Sequence, residues 1–103
     1  YAELEKADQV DFYNGLEGYY SVLGHNKKQE AIAVLIEKND HKIYVYQLDK
    51  GISQDKAATI SREKGASDID KVTFGRYQDK PIWEVKSGNH YYLIDFETGS
   101  LVQ

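Results

Sequence analysis

A short internal repeat is the feature that most restricts the fold of this 103-residue chain. Residues 8–12 read Asp-Gln-Val-Asp-Phe, residues 70–74 read Asp-Lys-Val-Thr-Phe, and an aromatic-rich stretch with the alternation of β-strands follows each copy. The copies continue to align, with one gap, at residues 18–22 with 81–85 and 35–36 with 93–94. The repeat therefore predicts a duplicated small α+β unit.

Length and composition indicate that the two units pack together in water. A unit of about 50 residues buries little surface when it is alone, so we expect the halves to share an interface. The 41% hydrophobic and 13% aromatic residues are too many for a disordered segment. The 29% charged residues and the mean hydropathy of -0.65 are typical of a globular chain rather than one immersed in lipid.

Charge and cysteine content exclude several classes of site. The chain contains no cysteine, which excludes disulfides, thiolate metal sites and cysteine nucleophiles. The net charge is -4, and Lys27 and Lys28 form the only pair of adjacent basic residues. We therefore expect no nucleic-acid partner, because aromatic residues that stack on single strands normally lie inside a positively charged groove.

Residues 51–65 carry the start and stop signals of one complete helix. Ser53 is a good N-cap, because its hydroxyl accepts a hydrogen bond from an amide of the first turn, and Ile52 can contact Ala57 as a hydrophobic staple. Gly65 suits the left-handed position that follows a helix. The pattern predicts a helix that lies on a sheet.

Alternating apolar residues predict strands on both sides of this helix. The predicted strands are at residues 9–13, 19–24, 30–37 and 42–48 before the helix, and at 69–77, 82–86, 90–96 and 101–102 after it. Residues 2–7 take the place of a first helix. The predicted division is a first unit at residues 1–48, whose N-terminal helix is truncated, and a second unit at residues 49–103.

No side-chain pattern predicts catalysis or a bound cofactor. His25, His41 and His90 lie in or beside three separate predicted turns without the spacing of metal ligands. Ser53 has no partner base, and Asp95 is better explained as a turn residue that accepts backbone amides. We expect no catalytic residue, no metal and no cofactor.

The aromatic residues support a binding prediction instead. Nine Tyr, three Phe and one Trp exceed what two thin cores require, although Trp83 is predicted to be a core residue. In the strand at residues 90–96, alternation separates Tyr91 and Leu93 from the side chains predicted to face the helix. Tyr91, Leu93 and Tyr13 are therefore candidate protein-binding residues, with contact between the two units as the alternative.

Three motifs resemble a known module. They are Gly-Ile-Ser-Gln-Asp-Lys-Ala at residues 51–57, Trp-Glu-Val at 83–85 and Tyr-Leu-Ile-Asp-Phe-Glu-Thr-Gly at 92–99. The pattern resembles the PepSY module, in which one helix lies on a small antiparallel sheet. The helix opening, the Asp-Phe-x-Thr-Gly ending and the tandem form are similar to the TseB/YpmB-like cell wall elongation regulators of Firmicutes.

This resemblance implies an α+β fold of two tandem PepSY/cystatin-like units, each with one helix packed on a small antiparallel sheet. It also implies a non-catalytic domain on the extracytoplasmic face of a Gram-positive membrane, anchored by a transmembrane helix that precedes these residues. The implied role is regulation of cell-wall synthesis through binding to a class B penicillin-binding protein. PepSY modules also occur in propeptides of secreted metallopeptidases, so a regulator or inhibitor of a secreted peptidase is the alternative.

Overall fold

The computed structural model describes residues 4–15 and 18–102, which form two consecutive antiparallel sheets with a helix between them. The first sheet has the order β1-β2-β3-β4, and the second has the order β5-β6-β7. The elements are β1 (Lys6–Asn14), β2 (Gly18–His25), β3 (Ala31–Glu37), β4 (Ile43–Gln47), a 3-10 turn (Leu48–Lys50), α1 (Gln54–Glu63), β5 (Lys71–Tyr77), β6 (Lys80–Ser87) and β7 (His90–Asp95). The α+β class is as predicted.

The helix α1 begins and ends at the predicted signals. The Ser53 hydroxyl accepts a hydrogen bond of 3.0 Å from the backbone N–H of Lys56. At the other end Gly65 adopts a φ of +115°, and the amide of Ala66 donates to the carbonyl of Ser61. This arrangement closes the last turn, so the local prediction of the helix is confirmed.

The helix covers one face of the second sheet. Trp83 lies in the central strand β6, and its indole N–H donates to the carbonyl of Ile52 at 3.0 Å. Its ring meets Phe74 edge-on with centroids 4.9 Å apart, and Phe96 packs beside both rings. Ile60 of α1 belongs to the same cluster. The prediction that Trp83 is a core residue is confirmed.

Local turn chemistry also agrees with the sequence. Gln78 and Asp79 have φ angles of 50° and 66°, which form a tight two-residue loop between β5 and β6. Asp95 Oδ1 accepts hydrogen bonds from the backbone N–H groups of Glu97 and Thr98 at 2.8 and 3.0 Å. Asp95 is therefore a turn residue, as predicted.

The helix predicted at residues 2–7 is wrong for the part that the structure describes. Lys6 and Ala7 belong to β1 and pair with the end of β2. A register shift between Ala7 and Gln9 lets the pairing continue to Lys6, and this pairing overrides the helix propensity of the local sequence. Over residues 4–15 and 18–102, α1 is the one α-helix, and its 10 residues fall short of the length that a helix needs to span a bilayer.

The two halves share an interface, as predicted. The edge strand β5 packs across β1, β2 and β3 of the first sheet. The ring of Tyr13 lies on Gly75, where an added Cβ would stand 2.5 Å from Tyr13 Cγ. The guanidinium of Arg76 lies 4.0 Å from the ring centroid of Tyr44, and Arg76 Nε donates to the Tyr46 hydroxyl at 3.2 Å. Aromatic and cation–π contacts therefore join the sheets.

Candidate protein-binding cleft

A cleft opens where the end of β1 meets the face of the second sheet that α1 leaves uncovered. Its volume is about 840 Å³, and its lining comes from the end of β1, from all three strands of the second sheet, and from the turn before β7. This volume lies in the range of ligand sites, which is roughly 300–1,000 Å³. The open shape suits a segment of another protein.

Cross-strand pairing determines which side chains line the second sheet. Thr73 pairs with Glu84, and Glu84 pairs with Leu93, so these residues form one row across the three strands. The next row consists of Lys71, Lys86 and Tyr91. Because successive side chains in a strand alternate between faces, both rows point away from α1, on the opposite side from Trp83.

The structure brings all three predicted binding residues to this cleft. Their exposed fractions differ, at 1% for Tyr13, 7% for Leu93 and 56% for Tyr91. Tyr13 lies between the sheets against Gly75, and Leu93 lies in the floor of the cleft. Tyr91 is therefore the member of the predicted set whose ring is presented to solvent, and the binding role of all three stays a prediction.

Two side chains in the cleft have unusual acidities. Burial, together with the neighbouring Glu84, Tyr77 and Tyr19, raises the pKa of Tyr13 to about 12, so the phenol is neutral at physiological pH. Burial also raises the pKa of Glu84, although the charge of Lys71 opposes this. A half-buried carboxylate of this kind gains from a hydrogen-bond donor or a cation brought by a partner.

Sequence reasoning did not single out Glu84. The signal was present, because alternation places Glu84 on the face opposite Trp83 and Val85 in a strand predicted at residues 82–86. Its burial depends on the position of β1 beside the second sheet, which the strand pattern does not give. The Glu84 carboxylate is therefore recognised as a candidate binding group only when the packing of the two sheets is known.

An ion pair joins the sheets at the wall of the cleft. Lys71 Nζ lies 2.8 Å from Asp11 Oδ1, and Gln9 Nε2 donates to Asp11 Oδ2 at 2.5 Å. Burial raises the pKa of Asp11, but the hydrogen bonds from Lys71 and Gln9 and the charge of Lys71 outweigh it, and the pKa lies below its usual value. The folded state thus favours the ionised form of Asp11.

We expect this ion pair to make stability depend on pH in acid. A depressed pKa in the folded state contributes stability that is complete above the unfolded pKa, about 4, and is lost as the pH falls through the lower folded value. Asp11→Asn should lower the free energy of unfolding at neutral pH by about 1 kcal/mol and flatten its decline in acid. Urea unfolding across this pH range measures both effects. Asp40→Asn, in an exposed turn, is the control, and an unchanged acid decline in Asp11→Asn would contradict the assignment.

The three histidines lie on three different elements of the fold. His25 Nδ1 is 2.7 Å from Asp8 Oδ2 at the end of β2. His41 lies in the turn before β4 with a φ of 59°, and His90 lies at the cleft. Within the described part of the chain, no group of three or more His, Asp or Glu side chains is arranged to hold a metal ion.

Comparison with known proteins gives one consistent relationship. A family model described as "Cell wall elongation regulator TseB-like domain" matches residues 1–37. The chain is 34% identical to the "Probable cell wall elongation regulator TseB" of Bacillus subtilis (strain 168), with 98% of this chain and 67% of that protein covered. The structure of the "YpmB protein from Bacillus subtilis" superposes with a TM-score of 0.83 at 33% identity, covering 98% of this chain and 84% of that one. The chain belongs to the family of TseB-like cell wall elongation regulators.

Proposed function

We propose that this chain is a non-catalytic, extracytoplasmic interaction domain that regulates cell-wall elongation by binding a class B penicillin-binding protein. The observation that carries the proposal is the cleft, in which an exposed Tyr91 stands beside a half-buried Glu84, in a member of an elongation-regulator family. In the proposed arrangement, a transmembrane helix that precedes these residues anchors the domain at the outer face of the membrane.

The cleft combines features that suit a protein partner. A tyrosine offers a large, rigid contact area with a polar end, and tyrosines are enriched among residues that dominate binding energy. The carboxylate of Glu84 is placed to receive a hydrogen-bond donor or a basic side chain from the partner. We therefore expect Tyr91 to supply most of the affinity and Glu84 to supply selectivity.

The outer edge of β7 provides a second contact for the same partner. The amide of Val102 donates to the carbonyl of Leu93, and the amide of Asp95 donates to the carbonyl of Ser100, so alternate residues of β7 direct their backbone groups to this edge. Tyr91 lies two residues before Leu93, so its backbone N–H and C=O also point to this edge. The tail at residues 100–102 pairs with residues 93–95 of β7 and leaves the edge beside Tyr91 open. We expect an extended segment of the partner to pair beside Tyr91 as an added strand.

Binding to purified extracellular domains of the host's penicillin-binding proteins tests the proposal. We expect saturable binding to a class B protein, and Tyr91→Ala should weaken it about tenfold or more, as removal of a central aromatic contact does. Glu84→Gln should weaken it less. Biolayer interferometry on immobilised residues 1–103 measures each affinity.

Tyr20→Ala is the matched control, because Tyr20 is a half-exposed tyrosine on the other sheet, at 47% against 56% for Tyr91. If Tyr91→Ala is folded and binds the class B protein with the same affinity as the parent chain, the cleft is not the binding site. Binding to a co-secreted peptidase and to no penicillin-binding protein would favour the peptidase-regulator alternative instead.

We also propose that the chain consists of two tandem PepSY-like units, at residues 1–48 and 49–103. Support comes from pairing register, because the residues that align in the repeat occupy equivalent positions in the two sheets. Val10 pairs with Val22 in the first sheet, and Val72 pairs with Val85 in the second. A duplication explains this agreement of sequence and register.

A further inference from the structure

The strand β4 lies at one end of the first sheet, and its outer edge has no neighbouring strand within residues 4–15 and 18–102. On its inner side, the amide of Glu37 donates to the carbonyl of Lys42 at 2.8 Å, and this bond sets the alternation of the ladder between β3 and β4. Every second residue of β4 therefore directs its backbone N–H away from β3. These residues are Ile43, Val45 and Gln47.

This edge lacks the features that usually prevent a further strand from pairing. Residues 43–47 read Ile-Tyr-Val-Tyr-Gln, with no charged residue, no proline and no register shift against β3. The other described edges differ, because β1 has a register shift and packs against β5, and the tail at residues 100–102 pairs with part of β7. The outer edge of β4 is therefore the one best suited to pair along its whole length.

The sequence of β4 is complementary to itself in the antiparallel direction. With a twofold axis at Val45, Val45 faces its own counterpart, and the amide of Gln47 can donate to the carbonyl of Ile43 in the second copy. Tyr44 then lies opposite Tyr46 of the second copy, on the side of the sheet that faces β5. Aromatic pairs across neighbouring strands are favourable, so this register joins backbone and side-chain contacts.

We propose that two copies of this chain pair through the outer edges of β4, antiparallel about Val45, and form a symmetric dimer. The charged residues beyond the strand agree with this register, because Asp40 before β4 aligns with Lys50 after β4 in the second copy. A shift of two residues would remove one of the few pairs that a strand of 5 residues can make. No residue of β4 lines the cleft, so the dimer is independent of the proposed function.

Sedimentation velocity of residues 1–103 tests the proposal. Because the contact is small, we expect the average mass to rise from 11.8 kDa toward twice that value over roughly 10 µM to 1 mM protein. Val45→Lys places two like charges face to face on the twofold axis, so its dissociation constant should be about tenfold or more higher. Val10→Lys is the matched control, because Val10 is an exposed valine in the same cross-strand row at the opposite edge of the sheet, and it should associate like the parent chain.

Disulfide formation gives a second readout, because the parent chain contains no cysteine. Hydrogen-bonded antiparallel pairs hold their Cα atoms about 5.5 Å apart, which a disulfide can bridge. Under a mild oxidant, Val45→Cys should form a disulfide-linked dimer about tenfold or more faster than Val10→Cys, since pairing raises the effective concentration of the thiols.

Any of three results would overturn the proposal. The first is a parent chain that remains monomeric at about 1 mM, even if the edge accepts a strand of another protein. The second is a Val45→Lys variant that is folded by circular dichroism and associates as strongly as the parent chain. The third is an equal rate of disulfide formation in Val45→Cys and Val10→Cys, which would show random collision. All three measurements are made without a penicillin-binding protein.

Discussion

Tyr13→Ala is expected to lower the free energy of unfolding by about 3–5 kcal/mol, the usual cost of truncating a buried aromatic ring. Tyr13 is 1% exposed and packs on Gly75 at the contact between the sheets, beside the ring of Tyr19. Its removal leaves a cavity where the two sheets meet. Urea unfolding followed by Trp83 fluorescence measures the loss, and Tyr13→Phe, which keeps the ring, should lose only about 1 kcal/mol.

A double mutant makes this prediction specific to the sheet contact. Gly75→Ala alone should destabilise by about 1–3 kcal/mol, because the added methyl overlaps the Tyr13 ring. With Tyr13→Ala in place the methyl has room, so Gly75→Ala should then cost almost nothing. Additive costs would show that Tyr13 and Gly75 do not act through one contact. A loss of partner binding in Tyr13→Ala must accordingly be corrected for its loss of stability.

Trp83→Ala is the second large effect, with an expected loss of about 3–5 kcal/mol in the free energy of unfolding. The substitution removes the centre of the aromatic cluster beneath α1 and leaves the carbonyl of Ile52 without its indole donor. Trp83→Phe should lose less, about 1–3 kcal/mol, because it keeps a ring but not the N–H group. Thermal unfolding followed by circular dichroism measures both variants.

The equivalent residue of the first sheet is the matched control for Trp83. Tyr20 pairs with Phe12 as Trp83 pairs with Phe74, but Tyr20 is 47% exposed, so Tyr20→Ala should change the free energy of unfolding of residues 1–103 only slightly. A cost equal to that of Trp83→Ala would mean that the face of the first sheet that bears Tyr20 is already covered. That result would contradict the difference in burial between the two sheets.

Local signals explain why the second half of the chain is predictable from sequence. The cap at Ser53, the left-handed Gly65 and the turn carboxylate of Asp95 each act within a few residues, and all three are confirmed. Alternation also separated Tyr91 and Leu93 correctly from the face beneath the helix. These features do not depend on how the two sheets are placed.

The wrong helix prediction at residues 2–7 and the incomplete prediction of the cleft have a different cause, which is tertiary packing. Lys6 and Ala7 have no strand signal of their own, and their conformation follows from pairing with β2 across a register shift. The burial of Tyr13 depends on Gly75 in the other sheet, and the raised pKa of Glu84 depends on the same packing. Contacts of this kind are set by tertiary structure, which strand periodicity does not encode.

Hydrogen–deuterium exchange of residues 1–103, with and without the extracellular domain of the class B penicillin-binding protein, tests the central claim most directly. We expect slower exchange in peptides that cover β7 and the turn before it, because a partner strand beside Tyr91 would bond the edge amides. Peptides that cover α1 should be unchanged. Protection confined to α1 or to the strands of the first sheet, or no protection at a saturating concentration of the partner, would contradict binding through the cleft.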